Sequence, residues 1–360
     1  SQGTNIFFHP GWRNKLNLLI MGTRREFIKK TTALTAVGLF SNWATSCTPR
    51  DKLGQVLPMR QIIRNGEKST AFSLGGYHAG IPEDPAEAQR IIKRSIELGV
   101  RFFDNARGYH RGRSEEYYGK FLTPKYREHV FVMTKSHAKD AAGVKEHLQQ
   151  SLDAMKVDQL DLWQIHTLTT KEDVDNRVNA GVLDEFLEAK ASGKTRYIGF
   201  TAHQNPSTVM YFLEILDKRG VELDTCQMPL NVCDPSYESF QMEAMPELMD
   251  RGYGVIAMKT MSGGSMMGKR IDTTPQEIKT EEIPDMVTEA GITLAQLHQY
   301  VYALPVSTLC SGCDTLDKLE HNVGVLKNLK KLSENEMMEL VSKAKPYANK
   351  YVENYKRVFG

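Results

Sequence analysis

No unbroken apolar run in this chain reaches the ~20 residues that a membrane-spanning helix requires, which argues against a bundle of membrane spans. Charge of one sign is equally scarce. The 46 Lys and Arg against 44 Asp and Glu leave a net +2, so no global field points to nucleic acid. Local clusters such as residues 327–331 read as the solvated face of a late helix. A Gly-x-Gly-x-x-Gly run after a first strand is missing, which weighs against a doubly wound dinucleotide-binding sheet. The stretch Gly263-Gly264-Ser265-Met266-Met267-Gly268-Lys269 imitates a phosphate loop, but Arg270 stands where Ser or Thr must reach magnesium. Cysteine is sparse, at five. Cys310-Ser311-Gly312-Cys313 has C-x-x-C spacing, yet no second such pair or spaced His pair completes a zinc site, and no metal is expected. A thioredoxin-like pair belongs at the start of a fold, and this one lies near the end.

What is present is an ordinary globular composition, 41% apolar and 25% charged. A length of 360 residues suffices for two average domains or one large α/β barrel. The first fifty residues stand apart. Thr23-Arg24-Arg25-Glu26-Phe27-Ile28-Lys29-Lys30 precedes a mild apolar stretch at 31–40 and then Ala44-Thr45-Ser46-Cys47. An arginine pair before a short, weakly apolar run resembles a twin-arginine export signal, which a translocase reads and which is not an anchor. The expected location is the periplasm or cell envelope. Cys47 after three small residues resembles a lipoprotein acceptor, although Ala44 sits where a larger aliphatic is usual; lipid on Cys47 would be the one membrane contact. Met21 is the expected start. Residues 1–50 are set apart as an N-terminal extension, leaving 51–360 as one domain. With Cys47 lipidated, Cys226, Cys233, Cys310 and Cys313 remain, and an exported location permits disulfides.

Met59-Arg60-Gln61-Ile62-Ile63-Arg64 and residues 69–74 flank Asn65-Gly66, a pair suited to a tight hairpin that would open the domain. Strand patterns follow at 73–75, 102–104, 130–134, 160–165, 197–200, 225–229, 254–257 and 307–310. Amphipathic stretches lie between them at 85–98, 143–155, 182–192, 205–219 and 239–250. In the first, Ile91, Ile92, Ser95, Ile96 and Leu98 share one face, and Gly99 stops the helix. Eight strands alternating with helices predict an α/β (β/α)8 TIM barrel with an N-terminal β-hairpin and C-terminal extra helices. A doubly wound sheet is the alternative.

In a barrel, residues at the C-terminal ends of strands converge on one mouth. Asp104 ends Arg101-Phe102-Phe103-Asp104, Lys135 ends Val130-Phe131-Val132-Met133-Thr134-Lys135, and His166 ends Asp161-Leu162-Trp163-Gln164-Ile165-His166. Tyr109 lies in the loop after Asp104. One such residue alone reads as a satisfied structural group, but four at consecutive strand ends read as chemistry. A phenol has a reference pKa near 10, and a nearby ammonium is expected to lower it, with a carboxylate keeping that ammonium charged and oriented. An imidazole opposite can steer a substrate carbonyl.

Phe103-Asp104-Asn105-Ala106-Arg107-Gly108-Tyr109, followed by Gly112-Arg113-Ser114-Glu115-Glu116-Tyr117-Tyr118-Gly119, resembles the aldo-keto reductase signature: Asp, then the catalytic Tyr, then Gly-x-Ser-Glu and a closing Gly. Thr134-Lys135 and Asp161–His166 resemble the family's Lys and His elements, so the resemblance covers about residues 59–332. It implies an NAD(P)H-dependent reductase of an aldehyde or ketone, sugar-derived compounds included. Tyr109 would be the proton donor, Lys135 and Asp104 would tune it, and His166 would orient the carbonyl.

The resemblance also places cofactor residues. Gly199-Phe200-Thr201-Ala202-His203 stands where the family has Gly-x-Ser-Asn: Thr201 keeps a hydroxyl for the nicotinamide amide, and Ala202 offers no amide. His203 is open to a substrate contact or a structural role. Gln227 matches the glutamine that holds the carboxamide. Met258 replaces the aromatic residue that stacks on the nicotinamide, as a softer platform. Gly76 and Lys259 fall among the cofactor contacts. Gly312, Cys313, Asp314, Lys318 and Asn322 resemble the loop and helix start that grip the adenosine phosphates. Lys318 sits where an arginine meets a 2′-phosphate, while Asp314 would repel one, so NADP is expected with NAD also accommodated. Two rivals are weighed. A sugar-active hydrolase needs two facing carboxylates, and Asp104 is the obvious strand-end acid. A non-catalytic nicotinamide-binding barrel would not require the tetrad.

Overall fold

The computed structural model describes residues 49–64, 66–270, 274 and 276–356. The arginine pair, the apolar stretch and Cys47 lie outside the described residues. Short strands β1 (Arg50–Asp51) and β2 (Gly54–Gln55) pair antiparallel, as do β3 (Met59–Gln61) and β4 (Lys68–Thr70). Eight parallel strands follow: β5 (Phe72–Gly75), β6 (Phe102–Phe103), β7 (Phe131–Ser136), β8 (Leu160–Leu168), β9 (Thr195–Ala202), β10 (Thr225–Pro229), β11 (Gly254–Met258) and β12 (Thr308–Gly312). β12 pairs with β5 from Leu309↔Phe72 to Gly312↔Gly75, closing the sheet. The fold is a (β/α)8 barrel, and the doubly wound alternative is excluded by that closure.

Side-chain alternation explains the layering. Phe131 and Met133 face the barrel interior with Phe102, Leu162 and Ile256, while Val132, Trp163, Ile165, Val255 and Ala257 face the surrounding helices. Trp163 stacks on Phe186 of helix Val182–Ala191, with centroids 3.9 Å apart. The interior is therefore apolar below and becomes polar above, where the same alternation brings in Lys135 and His166.

The helices begin and end where their local chemistry dictates. Helix Pro85–Glu97 starts with Asp84 capping the Ala86 N–H and Pro85 in the first turn, buries Ile91, Ile92 and Ile96, and ends before Gly99 at φ +96°. Two expectations need correction. The N-terminal hairpin does not turn on Asn-Gly as its central pair: with Gln61 opposite Lys68, the Ile62 N–H donates to the Glu67 carbonyl (2.7 Å) and the Gly66 N–H to the Ile63 carbonyl (3.1 Å), which puts Gly66 at the last position of the turn. The Ile62 and Ile63 side chains, at 0% and 2% exposure, plug the bottom of the barrel, and Asn65 lies outside the described residues. The continuous helix expected over 239–250 is two pieces, Phe240–Glu243 and Met245–Asp250, since Pro246 cannot donate to a preceding turn.

Helix Leu316–Lys327 follows β12 and completes the outer ring between Leu294–Ala303 and Pro85–Glu97, and Glu334–Ala344 is the extra C-terminal helix. Residues 345–356 then return over the end of β10. There Lys356 Nζ donates to Asp234 (2.7 Å), Glu353 (2.9 Å) and the Tyr237 carbonyl (2.7 Å), all enclosed. Burial alone would lower the ammonium's pKa, but the two carboxylates raise it. Among the described residues no helix is long and apolar enough to cross a membrane. Lys356→Met would leave Asp234 and Glu353 facing each other without a cation, and should lower the unfolding free energy by about 3–5 kcal/mol. Urea denaturation measures this; a loss below about 1 kcal/mol would show that the ion cluster is not holding the C-terminal segment.

Candidate active site

The four strand-end residues expected to act together do meet at the barrel mouth. Lys135 Nζ donates to the Asp104 carboxylate, to the Asn105 carbonyl (2.7 Å) and, at 3.4 Å, to the Tyr109 hydroxyl. The Tyr109 ring lies edge-on to His166 with centroids 5.7 Å apart, and edge-on to Tyr77 at 5.5 Å.

Tyr109 sits on a loop whose position is set by the motif after it. His110 and Arg111 take left-handed backbone at φ 49° and 57°. A side chain on Gly112 would collide with the Arg107 guanidinium, which needs that space to reach Glu115 at 2.9 Å. Glu115 is fully buried and also accepts from Thr134 Oγ1 (2.6 Å) on β7 and Ser151 Oγ (2.8 Å). Ser114 Oγ donates to the Gly76 carbonyl (2.6 Å), and His110 Nε2 lies 2.8 Å from the Tyr77 carbonyl. A Cβ on Gly119 would overlap the Ala154 carbonyl, so the helix bearing Ser114 and Glu115 packs directly on its neighbour. Each polar residue of the signature thus ties the Tyr109 loop to β5, β7 or a helix.

The electrostatics depart from one expectation. Tyr109 is not depressed by Lys135: burial first, then Asp104, Cys310 and Tyr77, hold its pKa well above 10. The Asp104 carboxylate cancels much of the Lys135 charge at the phenol, and desolvation decides the sign. His166 is held well below its ordinary value, chiefly by burial and then by Lys135 and His203, so its ring is neutral. Arg177 fixes the backbone beside it, donating to the His166 and Thr167 carbonyls at 2.9 Å each.

The expected cofactor residues divide. Thr201 and Gln227 stand side by side in register on β9 and β10. Thr201 Oγ1 accepts from the Thr167 N–H at 2.7 Å, and Gln227 Oε1 is buried without a hydrogen-bond partner among the described residues. Met258 ends β11 with 8% exposure. Lys259, at φ 58°, is lowered by burial and lies 5.6 Å from the Tyr355 ring. Gly76 is required because a Cβ there would overlap the Asp104 carbonyl.

At the far end, the loop expected to grip the phosphates is braced by its own side chains. A Cβ on Gly312 would collide with the His78 imidazole, so this glycine makes room for a side chain. Cys313 is fully buried, and Asn322 donates to Ser311 Oγ (3.0 Å) and reaches Cys313 Sγ (3.6 Å), so both brace the loop from inside. Lys318 is bound to Asp314 at 2.6 Å. Cys226, Cys233, Cys310 and Cys313 are all free thiols, and no metal-binding group of His, Cys, Asp and Glu occurs among the described residues. Asp104 is committed to Lys135, and Glu115 to Arg107, Thr134 and Ser151, which leaves the hydrolase alternative without a free pair of these acids.

Several residues of the site carried no signal in the sequence. His78 and Tyr77 follow β5 and gain their place only through the barrel closure. The Tyr118 hydroxyl donates to the Asp104 carbonyl at 2.8 Å, and Arg177 reaches back from a helix. The strand-end rule finds neither. His78 is lowered to about 4, mainly by burial.

The sequence profile described as the aldo/keto reductase family matches residues 71–345. L-glyceraldehyde 3-phosphate reductase of Escherichia coli is 24% identical over 325 residues, covering 78% of this chain and 90% of that protein. The uncharacterized oxidoreductase YqkF of Bacillus subtilis is 25% identical over 287 residues, covering 72% and 88%. A 6-dehydroglucose reductase of Novosphingobium aromaticivorans is 27% identical over 253 residues, covering 63% and 74%. Among solved structures, the holo form of an aldo-keto reductase of Bacillus halodurans has a TM-score of 0.64 at 20% identity, covering 81% of this chain and all of that one.

Proposed function

For a chain that belongs to the aldo/keto reductase family, and so to a family of oxidoreductases, we propose reduction of an aldehyde or ketone to an alcohol with Tyr109 as general acid. The observation that carries this reading is the convergence of Lys135 on Asp104 and Tyr109, with the neutral His166 ring beside the phenol. A nicotinamide dinucleotide fits the strand ends: Gln227 Oε1 is a buried acceptor awaiting a donor, and Thr201 lies next to it. When bound, the cofactor supplies hydride to the carbonyl carbon. The protein does the rest. The neutral His166 ring offers one N–H to orient the carbonyl oxygen. The Tyr109 O–H passes its proton to that oxygen as the new C–H bond forms. The ammonium of Lys135 stabilises the phenolate left behind, which recovers a proton from solvent.

NADP is the proposed cofactor, with NAD accommodated. Lys318 is the candidate for a 2′-phosphate, and its bond to Asp314 is an exposed ion pair of the kind that contributes little and yields readily. A sugar-derived carbonyl is the proposed substrate class, supported by the activities named for two relatives, L-glyceraldehyde 3-phosphate reductase and 6-dehydroglucose reductase. On the Arg24-Arg25 pattern, the chain is proposed to be exported to the cell envelope by the twin-arginine route, with Cys47 as a lipid site. An exported reductase needs hydride where free NADPH has no obvious supply, so the cofactor travels bound and is recycled in place by an oxidisable second substrate.

Three outcomes test this reading. Tyr109→Phe should lower the reduction rate by roughly 10²–10⁴ with dinucleotide affinity nearly unchanged; full retained activity with aldehyde and ketone panels would refute the assigned acid. Tyr109 is raised above the phenol value and His166 lowered below the imidazole value. The rate of the chemical step should therefore stay flat from about pH 6.5 to about pH 10, with an acid limb below and a basic limb above. A limb centred near neutrality, in single-turnover measurements, would contradict those protonation states. Protein recovered from the envelope fraction should keep the absorbance and fluorescence of a nicotinamide cofactor through dialysis; empty protein with weak NADPH affinity would remove the case for a carried cofactor.

A further inference from the structure

The eight parallel strands all run from the closed end of the barrel to the mouth, where Tyr109 and Lys135 lie. The N-terminal segment is fixed to the closed end. Asp51 pairs at 2.6 Å with Arg101, which immediately precedes β6, and the Val56 N–H donates to the Pro49 carbonyl at 2.7 Å. The Leu57 N–H then donates to the Gly99 carbonyl at 2.9 Å, so the β1–β2 hairpin lies across that end. In the sequence only Thr48 separates Cys47 from Pro49. A step of that length reaches about 7 Å. A lipid on Cys47 would therefore enter a bilayer beside the closed end and not beside the mouth.

The surface around Pro49 has a composition suited to that position. Pro49, Arg50, Met59, Lys68 and Lys156 border one open recess of about 720 Å3. Met59 is 43% exposed, and only Ile81 is also an exposed large apolar side chain among the described residues. Arg50, Lys68 and Lys156 are exposed and form no ion pair among the described residues; the same holds for Lys52 on the adjoining hairpin. Most acids there are already committed, Asp51 to Arg101, Glu67 to Arg196 and Asp161 to Arg127. Only the exposed Glu128 and Asp158 stand against the four free cations along this recess. Cations around an exposed methionine match the boundary between anionic headgroups and acyl chains.

We propose that the closed end of the barrel is a membrane-apposed face, docked on anionic phospholipid headgroups through Arg50, Lys52, Lys68 and Lys156, with the mouth turned to the aqueous compartment. The proposal rests on the reading of Cys47 as a lipid site. The short tether sets which end meets the bilayer, and the cations hold that end flat against it. This orientation constrains the substrate. A mouth facing away from the bilayer takes a carbonyl compound dissolved in the compartment, as a sugar-derived one would be, and not one embedded among acyl chains.

Lysine acetylation, read by mass spectrometry on the full lipidated chain, tests the orientation. The chain is labelled on vesicles of phosphatidylethanolamine and phosphatidylglycerol, and again in detergent. Lys52, Lys68 and Lys156 should label about fivefold more slowly on vesicles. Lys139 and Lys171, which follow β7 and β8 at the mouth, should label equally in both. Lys68→Glu with Lys156→Glu should restore the labelling of Lys52, because the face loses its headgroup attraction. Protection of Lys139 and Lys171, or equal labelling at both ends of lipidated protein, overturns the orientation. Unchanged protection of Lys52 in the double variant overturns docking by those cations. Envelope protein whose Cys47 carries no lipid overturns the anchor reading itself, and the orientation falls with it.

Discussion

The barrel mouth is organised around one buried ion pair, Lys135 with Asp104. Lys135 is 1% exposed and Asp104 2%, and a lone ammonium or carboxylate at such depth would be strongly disfavoured. Neither can be present without the other. Meeting that demand fixes much of the surrounding chain. β6 is held to two residues so that Asp104 turns inward at its end, and the Asn105 carbonyl follows as a further acceptor for Nζ. The Asp104 carbonyl is in turn secured by the Tyr118 hydroxyl from the helix that carries Ser114 and Glu115. The loop leaving Asp104 has little freedom left, and Tyr109 is delivered to the third donor position of Lys135.

Burial is the main reason the phenol rests protonated, and the same pair adds to it. An uncompensated lysine would favour the phenolate, but Asp104 offsets the positive charge and adds its own repulsion of a second anion. A general acid benefits from this arrangement. The proton is held until the reaction draws it off, and the ammonium acts on the phenolate only as that charge develops. Stabilisation confined to the transition state is the kind that raises rate.

How far the sequence reveals this follows from backbone periodicity. Phe131, Met133 and Lys135 alternate on one strand, and Leu162, Gln164 and His166 on the next, so the inward polar residue at each end can be read from the apolar residues below it. The reading fails where the period breaks. Ile62 and Ile63 look like hairpin residues because nothing local says that a barrel bottom will need plugging. At Gly312, Cys313 and Asn322 spacing does not report that the glycine also accommodates His78 or that Asn322 reaches Cys313. The sign of the Tyr109 shift was illegible for a related reason. It depends on enclosure, which spacing does not report.

Three buried ionic clusters in this barrel have similar chemistry and different consequences. Glu115 receives Arg107, Thr134 and Ser151 at 2.6–2.9 Å, and Lys356 spends its three donors on Asp234, Glu353 and the Tyr237 carbonyl at 2.7–2.9 Å. Both are networks of short contacts that hold a segment of chain in place. Lys135 differs in its third contact, 3.4 Å from the Tyr109 hydroxyl, a long approach to a neutral partner. As the phenol gives up its proton, that contact becomes a charge-assisted bond and can shorten. A site able to drive a reaction needs one interaction that strengthens as charge develops, and among these three clusters the lysine at the barrel mouth, beside the Tyr109 hydroxyl, is where the protein keeps it.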